Sequence, residues 1–394
     1  IDFQNQKFEF YQNGKRPTQA EFSAEALAFE NFYLKLNELK ISKEENLSFN
    51  LDDFQFKEES GLVLQEFQMK TQLNSKETSL ENLRLQLNNS ILYANLKLNY
   101  NSLDELINRP TNSRFKLDVS SLKVDLKDAY IFSPELKNNE QIQNLAQKNL
   151  EGNLNAEGDL DKLTISEFDL NWGKNTQLSL EGSLTQYIDV ENLGFDVKNL
   201  VAKTNKNDVF QFISEEDLGI SFPEIFAITG DFKKNGNDYS THSQLKSSMG
   251  NVELKGFFDA NKKIDYDVDV DVISLKLGEL LQNDKLGNLN MQLASNGNGN
   301  TVYDLTAEFS TKIDSIRFDT YTFSGMSISG DLEKGKGELD FGYRDENLQF
   351  DVASDIALDS VSPQIDVKLN LKGIRTKIFN LTSKALRAKL LANF

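Results

Sequence analysis

The sequence contains no cysteine, one histidine and one tryptophan among its 394 residues. Disulfide scaffolds need paired cysteines and structural zinc sites need several Cys or His ligands, so the composition excludes both. Basic residues are also scarce: 43 Lys and Arg stand against 61 Asp and Glu, which gives a formal net charge of −18. This charge repels phosphate backbones, and we therefore expect no nucleic-acid partner.

Long apolar runs are missing as well. No run approaches the roughly 20 apolar residues of a membrane-spanning helix, and nothing near Ile1 has the charged start and apolar centre of a secretory signal. We therefore interpret the sequence as a segment of a longer chain, with any membrane anchor outside it. Hydrophobic residues still make up 39% of the chain, including 28 Phe. That content is too high for disorder, so the chain must bury a large apolar surface.

Strict alternation of apolar and polar residues is the dominant pattern. It is clearest from Ile264 to Val272, where every second residue is apolar and the four between them are aspartates. This alternation predicts a strand with one buried and one wet face. Four like charges along one face are tolerable only if that face stays in bulk water.

The same alternation recurs along the whole chain, and turn signals separate its segments. Gly and Asn accept positive φ, which favours hairpin turns at Glu58–Gly61, Asn235–Asn237, Asn296–Gly299 and Lys334–Gly337. The phase of the alternation shifts after Ile165, which predicts a bulge or short turn at Ser166 and Glu167. We predict a mainly β fold, built as a long antiparallel meander with few short helices.

Two segments lack the alternation and are predicted to be helical. Ser133 and Pro134 are a typical N-cap and first helical residue, and they open a polar helix or linker over residues 133–149. Residues 374–394 are predicted to form a basic helical tail. The ranges 1–132 and 150–373 are predicted to hold repeated strand units. An Asp-Val pair that leads to an apolar turn marks these units at Asp118, Asp196, Asp269 and Asp366.

No motif indicates catalysis. His242 is the only imidazole and lies in an alternating stretch, which is typical of a wet strand histidine and not of a Ser–His–Asp triad. The aspartates between Ile264 and Val272 lack the glycine and glutamate of a calcium-binding loop. With 61 acids, close carboxylate pairs arise by chance. We expect no enzyme activity, no metal and no cofactor.

The apolar strand faces allow two interpretations. Sheets usually bury such faces on one another, so alternation alone favours the core of a β-sandwich or solenoid. The other interpretation leaves the faces unpaired, as the inner wall of a groove that ligand chains fill.

Three segments of the sequence resemble the repeating pattern of the TamB branch of the AsmA-like superfamily. They are Leu83–Leu106, Leu163–Leu170 and Leu178–Leu184. The shared features are alternating strands, Gly-Ser-Leu and Gly-Asp-Leu junctions, and an Asn-, Asp- and Ser-rich outer face. This resemblance implies an elongated, twisted, open half-pipe, or β-groove, with a hydrophobic lumen. The family's N-terminal anchor and its C-terminal portion have no match here, which implies a middle or late segment.

The same resemblance implies a non-enzymatic role in lipid transport. A TamB-like segment would carry phospholipid acyl chains through the periplasm, between the inner and outer membranes of a Gram-negative-type envelope. It would support outer-membrane assembly with an Omp85-type barrel and meet the inner membrane through an anchor outside this segment. The alternative left open is an extracellular β-solenoid or β-sandwich adhesin that binds glycans. An outer-membrane barrel lacks its aromatic girdles here, and a polysaccharide-active enzyme has only unspecific carboxylates in its favour.

Two sets of residues follow from this interpretation. The basic tail is predicted to contact a membrane or partner through Arg375, Lys377, Lys384 and Arg387. The residues predicted to line the lipid groove are Leu92, Leu96, Leu98, Tyr100, Leu117, Val119, Phe195, Val197, Val268, Val270, Val272, Leu305, Phe309, Phe350, Val352, Val367 and Leu369.

Overall fold

The computed structural model describes residues 1–12, 22–42, 46–358, 362–379 and 387–393. Its 22 strands belong to one antiparallel sheet, and its helices are few and short. The mainly β antiparallel meander predicted from the alternation is therefore confirmed. The chain divides into two compact units, residues 1–202 and 203–394.

The first unit holds strands β1 to β10 and most of β11. Each strand from β1 to β9 pairs antiparallel with the next one along the chain. The strands are β1 (Asp2–Tyr11), β2 (Ala26–Ile41), β3 (Leu47–Glu58), β4 (Val63–Leu73), β5 (Glu77–Leu87), β6 (Ser90–Asn99), β7 (Arg114–Val124), β8 (Leu150–Gly158), β9 (Lys162–Trp172), β10 (Thr176–Thr185) and β11 (Gly194–Asn205).

The second unit continues the meander with eleven further strands. Each strand from β12 to β22 again pairs antiparallel with its neighbour in the chain. The strands are β12 (Ile225–Asn235), β13 (Asp238–Ser247), β14 (Gly250–Asp259), β15 (Ile264–Lys276), β16 (Leu286–Gly299), β17 (Thr306–Phe318), β18 (Tyr321–Glu333), β19 (Lys336–Arg344), β20 (Leu348–Ala357), β21 (Gln364–Arg375) and β22 (Arg387–Asn393).

The predicted bulge in β9 is present at Ser166. Asn155 of β8 lies opposite Glu167, and Ala156 lies opposite Ile165, so Ser166 is the extra residue. Its hydroxyl donates to the Asn155 carbonyl at 3.2 Å. A bulge bends a strand and increases its twist, which explains the phase shift in the sequence.

Other bulges hold a residue in the left-handed region. Asn82 of β5 has φ 54° and Ser274 of β15 has φ 53°. Each donates its backbone N–H to an asparagine side chain of the next strand, Asn82 to Asn95 at 2.9 Å and Ser274 to Asn290 at 2.8 Å. A backbone group that leaves the ladder thus keeps a hydrogen-bond partner.

In the first unit, short helices fill the connections next to β7. Before β7 lie α1 (Leu103–Asn108) and a 3₁₀ helix (Pro110–Asn112), and after it lie 3₁₀ helices (Leu126–Ile131 and Pro134–Asn138) and α2 (Glu140–Leu145). The polar helix predicted over 133–149 is thus two helices, because Asn139 caps the second by accepting from the Ile142 N–H at 3.1 Å. The Trp172 indole, buried at the end of β9, donates to the Leu145 carbonyl at 2.8 Å.

In the second unit, the apolar turns predicted from the repeat follow the ends of strands. The helical segments are α3 (Lys206–Val209), α4 (Glu215–Leu218), α5 (Leu277–Leu280) and a 3₁₀ helix (Val302–Asp304), with a turn at 376–379 after β21. Among the described residues of the chain, no helix combines the length and the apolar character needed to cross a membrane.

Two local predictions are wrong. Residues 387–393, predicted as part of a basic helix, form β22. Pairing with β21 supplies their backbone hydrogen bonds, and this tertiary contact overrides their helix propensity. Asn296–Gly299, predicted as a hairpin turn, is the last part of β16, where Asn296 pairs with Glu308 and Gly297 with Ala307. The turn follows it in the segment that contains the Val302–Asp304 helix.

Candidate functional site

The predicted groove residues of β6 and β7 lie on one face of the first unit, which we call its groove face. Along β6, half-buried Leu92, Leu96 and Leu98 alternate with exposed polar or aromatic residues. Leu96 lies directly opposite Leu117. The remaining predicted residues of this group, Val119 and Tyr100, are buried.

Tyr100 is anchored by hydrogen bonds. Its hydroxyl donates to the Asn74 carbonyl at 2.8 Å and lies 2.8 Å from the Thr78 hydroxyl. This tyrosine therefore belongs to the sheet's own structure. Phe195 and Val197 are two residues apart on β11 and are both half-buried, so they share a face of that strand.

In the second unit, Val268, Val270 and Val272 point to one side of β15, and the aspartates between them point to the other. Each valine belongs to a row of residues that lie directly opposite one another on neighbouring strands. Directly opposed residues point to the same face of the sheet. The row through Val272 is apolar on six consecutive strands, through Ile228, Leu245, Val252, Val272, Met291 and Ile313. These rows form the groove face of the second unit.

The other predicted groove residues of this unit join the same face, with one exception. Val352 lies opposite Leu369, Phe350 lies opposite Leu371, and Val367 and Phe309 belong to a neighbouring row. Leu305 precedes β17 and lies outside the strands; its carbonyl accepts from the Gly335 N–H at 2.7 Å. It sits where the strands end.

Among the described residues of either unit, no second layer of strands covers the groove face. Among the described residues of each unit, the main contacts of every strand are with the strands before and after it in the chain. Most predicted groove residues are accordingly half-buried, and a sandwich core would bury them fully.

One stretch of the second unit's groove face is covered by the chain itself. Met326, Tyr343 and Leu348 form a small buried core at 6–8% exposure, and we call this stretch the closed end. Phe379, in the turn after β21, packs on it with its ring 4.6 Å from that of Tyr321 and 6.4 Å from that of Phe323. The chain that leaves β21 therefore folds back over the sheet.

Asp345 ties the closed end together. Its carboxylate accepts hydrogen bonds from the hydroxyls of Tyr321 and Tyr343, and from the backbone N–H groups of Asn347 and Leu348 at 2.7 Å each. Burial raises the pKa of Asp345, but these hydrogen bonds outweigh it and leave that pKa below its ordinary value. Burial together with the Asp345 charge raises the pKa of Tyr343.

A second stretch of the same face, which we call the bay, has a floor of small residues on β16 to β18. These are Ser295, Gly297, Ala307 and Gly330. Two rings lie across it: Tyr266 faces Gly297 and Phe309 faces Gly330 in the register of the sheet. The Tyr266 hydroxyl lies 3.1 Å from that of Ser295.

The opposite side of the second unit, its outer face, is acidic. Five exposed carboxylates stand directly opposite one another on β17 to β21 and form what we call the acidic row: Glu308, Asp331, Glu338, Asp355 and Asp366. Lys368 contacts Asp355 at 3.3 Å. Sequence reasoning found the aspartates of β15 but missed this row, because only the register of the strands aligns its members.

The structure brings two of the predicted partner-contact residues together, because Arg375 of β21 lies directly opposite Arg387 of β22. Arg375 ends β21, and its guanidinium donates to the Asn347 side chain at 3.3 Å. Lys377 is exposed in the following turn, Arg387 begins β22, and Lys384 lies outside the described residues. Among the described residues, no group of three His, Cys, Asp or Glu side chains could hold a metal ion. His242 instead lies 3.1 Å from Glu253 on the outer face.

No family model, no characterised protein and no solved structure matches the chain. The functional interpretation therefore depends on the two faces of the sheet and on the TamB-like texture of the sequence.

Proposed function

We propose that the groove face binds lipid acyl chains and that this chain is a non-enzymatic, lipid-conducting segment of a TamB-like envelope protein. In that role it would carry phospholipid through the periplasm, between the two membranes of a Gram-negative-type envelope. It would assist outer-membrane assembly together with an Omp85-type barrel. The observation that carries the proposal is an apolar face that, in the part of each unit that the structure describes, no second strand layer covers.

Acyl chains suit this face physically. Covering apolar surface is worth about 25 cal/mol per Å², and the contact is non-directional, so a chain could slide along the rows without a deep energy minimum. Polar head groups would remain in water beside the open slot. The acidic outer face would repel anionic membrane surfaces along the length of the strands.

The direct test is native mass spectrometry, with lipid extraction, of the purified chain. We expect co-purifying phospholipid in the wild type. Val268→Asp should remove most of it, because a charge in the groove face repels acyl chains. The matched control is Ala294→Asp, which puts the same charge on the outer face of the next strand, where Ala294 pairs with Asp269. Equal lipid content in both folded variants would contradict the proposal.

A glycan-binding adhesin predicts a different outcome of the same preparation. It would yield a lipid-free protein that binds oligosaccharides, with Val268→Asp having no effect on that binding.

A further inference from the structure

The bay contains two glycines whose role is steric. Neither Gly297 nor Gly330 has a left-handed φ, so neither is needed for an unusual backbone conformation. Both lie inside strands, where glycine weakens the sheet and often marks a close approach of another group. In both cases, an aromatic ring of the preceding strand is among the closest groups, together with Ala307 Cβ at Gly297 and the Glu338 carbonyl at Gly330.

The distances show how closely the rings lie on the glycines. A Cβ atom added to Gly297 would lie 2.8 Å from Cε1 of Tyr266, and one added to Gly330 would lie 3.0 Å from Cε1 of Phe309. Carbon atoms in van der Waals contact are about 3.5–4.0 Å apart, so each ring would have to shift to admit an added Cβ. Each ring therefore occupies space that a side chain on the neighbouring glycine would fill.

The rest of the floor is low for the same reason. Ser295 lies beside Phe309, and Ala307 lies beside Gly297. The floor is low as far as Leu332 of β18, which lies opposite Ala307 and bounds the bay. Elsewhere on these strands the groove face has large residues such as Leu293, Ile313 and Ile328.

We propose that Gly297 and Gly330 set the depth of the groove at the bay, where small residues leave space for an apolar ligand above the sheet. The inference rests on the proposed function and adds to it the residues that determine how bulky an apolar chain fits. A single methyl group at either position would have a large effect, because it would lift a whole ring into the space for the ligand.

The test uses Gly297→Ala and Gly330→Ala with a phospholipid that carries a nitrobenzoxadiazole-labelled acyl chain. We expect about a tenfold loss of affinity for each, equivalent to about 1.4 kcal/mol. The matched control is Gly342→Ala on the outer face of β19, where an added Cβ meets nothing closer than 3.6 Å. This control should bind like the wild type.

A third variant guards against misfolding, because a Cβ at Gly330 would also lie 2.8 Å from the Glu338 carbonyl. Ser295→Leu fills the bay from an ordinary strand position and should lower affinity in the same way. Folded bay variants that bind the lipid as tightly as the wild type would overturn the inference.

A second probe separates this inference from the proposed function. The amphipathic dye 1-anilinonaphthalene-8-sulfonate, whose aromatic rings bind apolar surface, should bind the wild type and lose affinity in the three bay variants only. A wild type that binds the dye but not the lipid would refute lipid conduction, while the dye would still report whether the bay sets the depth. A wild type that binds neither would overturn both.

Discussion

The closed end and the bay are two stretches of the same groove face, and they differ in what covers them. At the closed end, Phe379 folds back on the rings of Tyr321 and Phe323, and the residues beneath are buried. At the bay, Tyr266 and Phe309 are half-buried and lie close to glycines of the next strand. One sheet face thus ends in a small core of its own and is open to a ligand further along.

The difference shows what a single sheet layer needs. Apolar side chains gain stability only when something removes them from water, and no second strand layer does so among the described residues of the unit. The chain supplies its own cover at one stretch. Elsewhere a ligand has to supply it, so the two stretches should respond differently to the same kind of substitution.

The largest expected effect is the loss of a side chain from the closed end. Met326→Ala should lower the free energy of unfolding by about 2–4 kcal/mol, because a buried side chain leaves a cavity behind. Ile328→Ala, two residues along the same strand and only half-buried, should cost about 1 kcal/mol in the absence of lipid. Urea denaturation measures both. Equal losses would mean that the closed end is no better packed than the rest of the face.

We expect an intermediate effect on stability from the ionisation of Asp345. The folded pKa of Asp345 is lowered, so the stability it contributes is present above the unfolded value of about 4 and is lost as the pH falls through the folded pKa. Asp345→Asn should therefore be less stable than the wild type at neutral pH, and the two should converge in acid. Thermal unfolding from pH 7 to pH 3 gives this comparison. A difference in stability between the two proteins that stays constant over that range would show that the Asp345 carboxylate does not stabilise the closed end.

The smallest effect on stability is expected from a substitution on the outer face, which is the polar side of the sheet at both the closed end and the bay. Glu338 stands between Asp331 and Asp355 in the acidic row, and like charges directly opposite one another destabilise a sheet. Glu338→Lys should raise the denaturation midpoint slightly at low ionic strength, and molar salt should abolish the gain. Lipid content should not change. A gain that persists in molar salt would point to packing instead of charge.

Alternation predicted which side chains share a face. It placed Val268, Val270 and Val272 on one side of β15 and found the bulge at Ser166, because both depend on neighbours in the sequence. Gly297 was misassigned to a turn, because a glycine beneath a ring and a glycine in a turn look alike in sequence. The contact of Phe379 with Tyr321 joins residues too far apart for any local pattern to show it.

The C-terminal strand β22 also shows why a local sequence pattern could not predict every element. Residues 387–393 are rich in Ala, Leu, Arg and Lys, which favour a helix, yet the open edge of β21 turns them into a strand. The availability of an edge is a property of the folded sheet, and no window of the sequence contains it.

The pairing of each strand with its neighbour in the chain has a consequence for how the protein forms. Within each unit the contacts join residues that are close in sequence, so closing each hairpin loses little chain entropy. A new strand can add to the growing edge as soon as it leaves the ribosome, without waiting for the C-terminal residues. We therefore expect each unit to assemble hairpin by hairpin during synthesis, with the last strand added always serving as the template for the next.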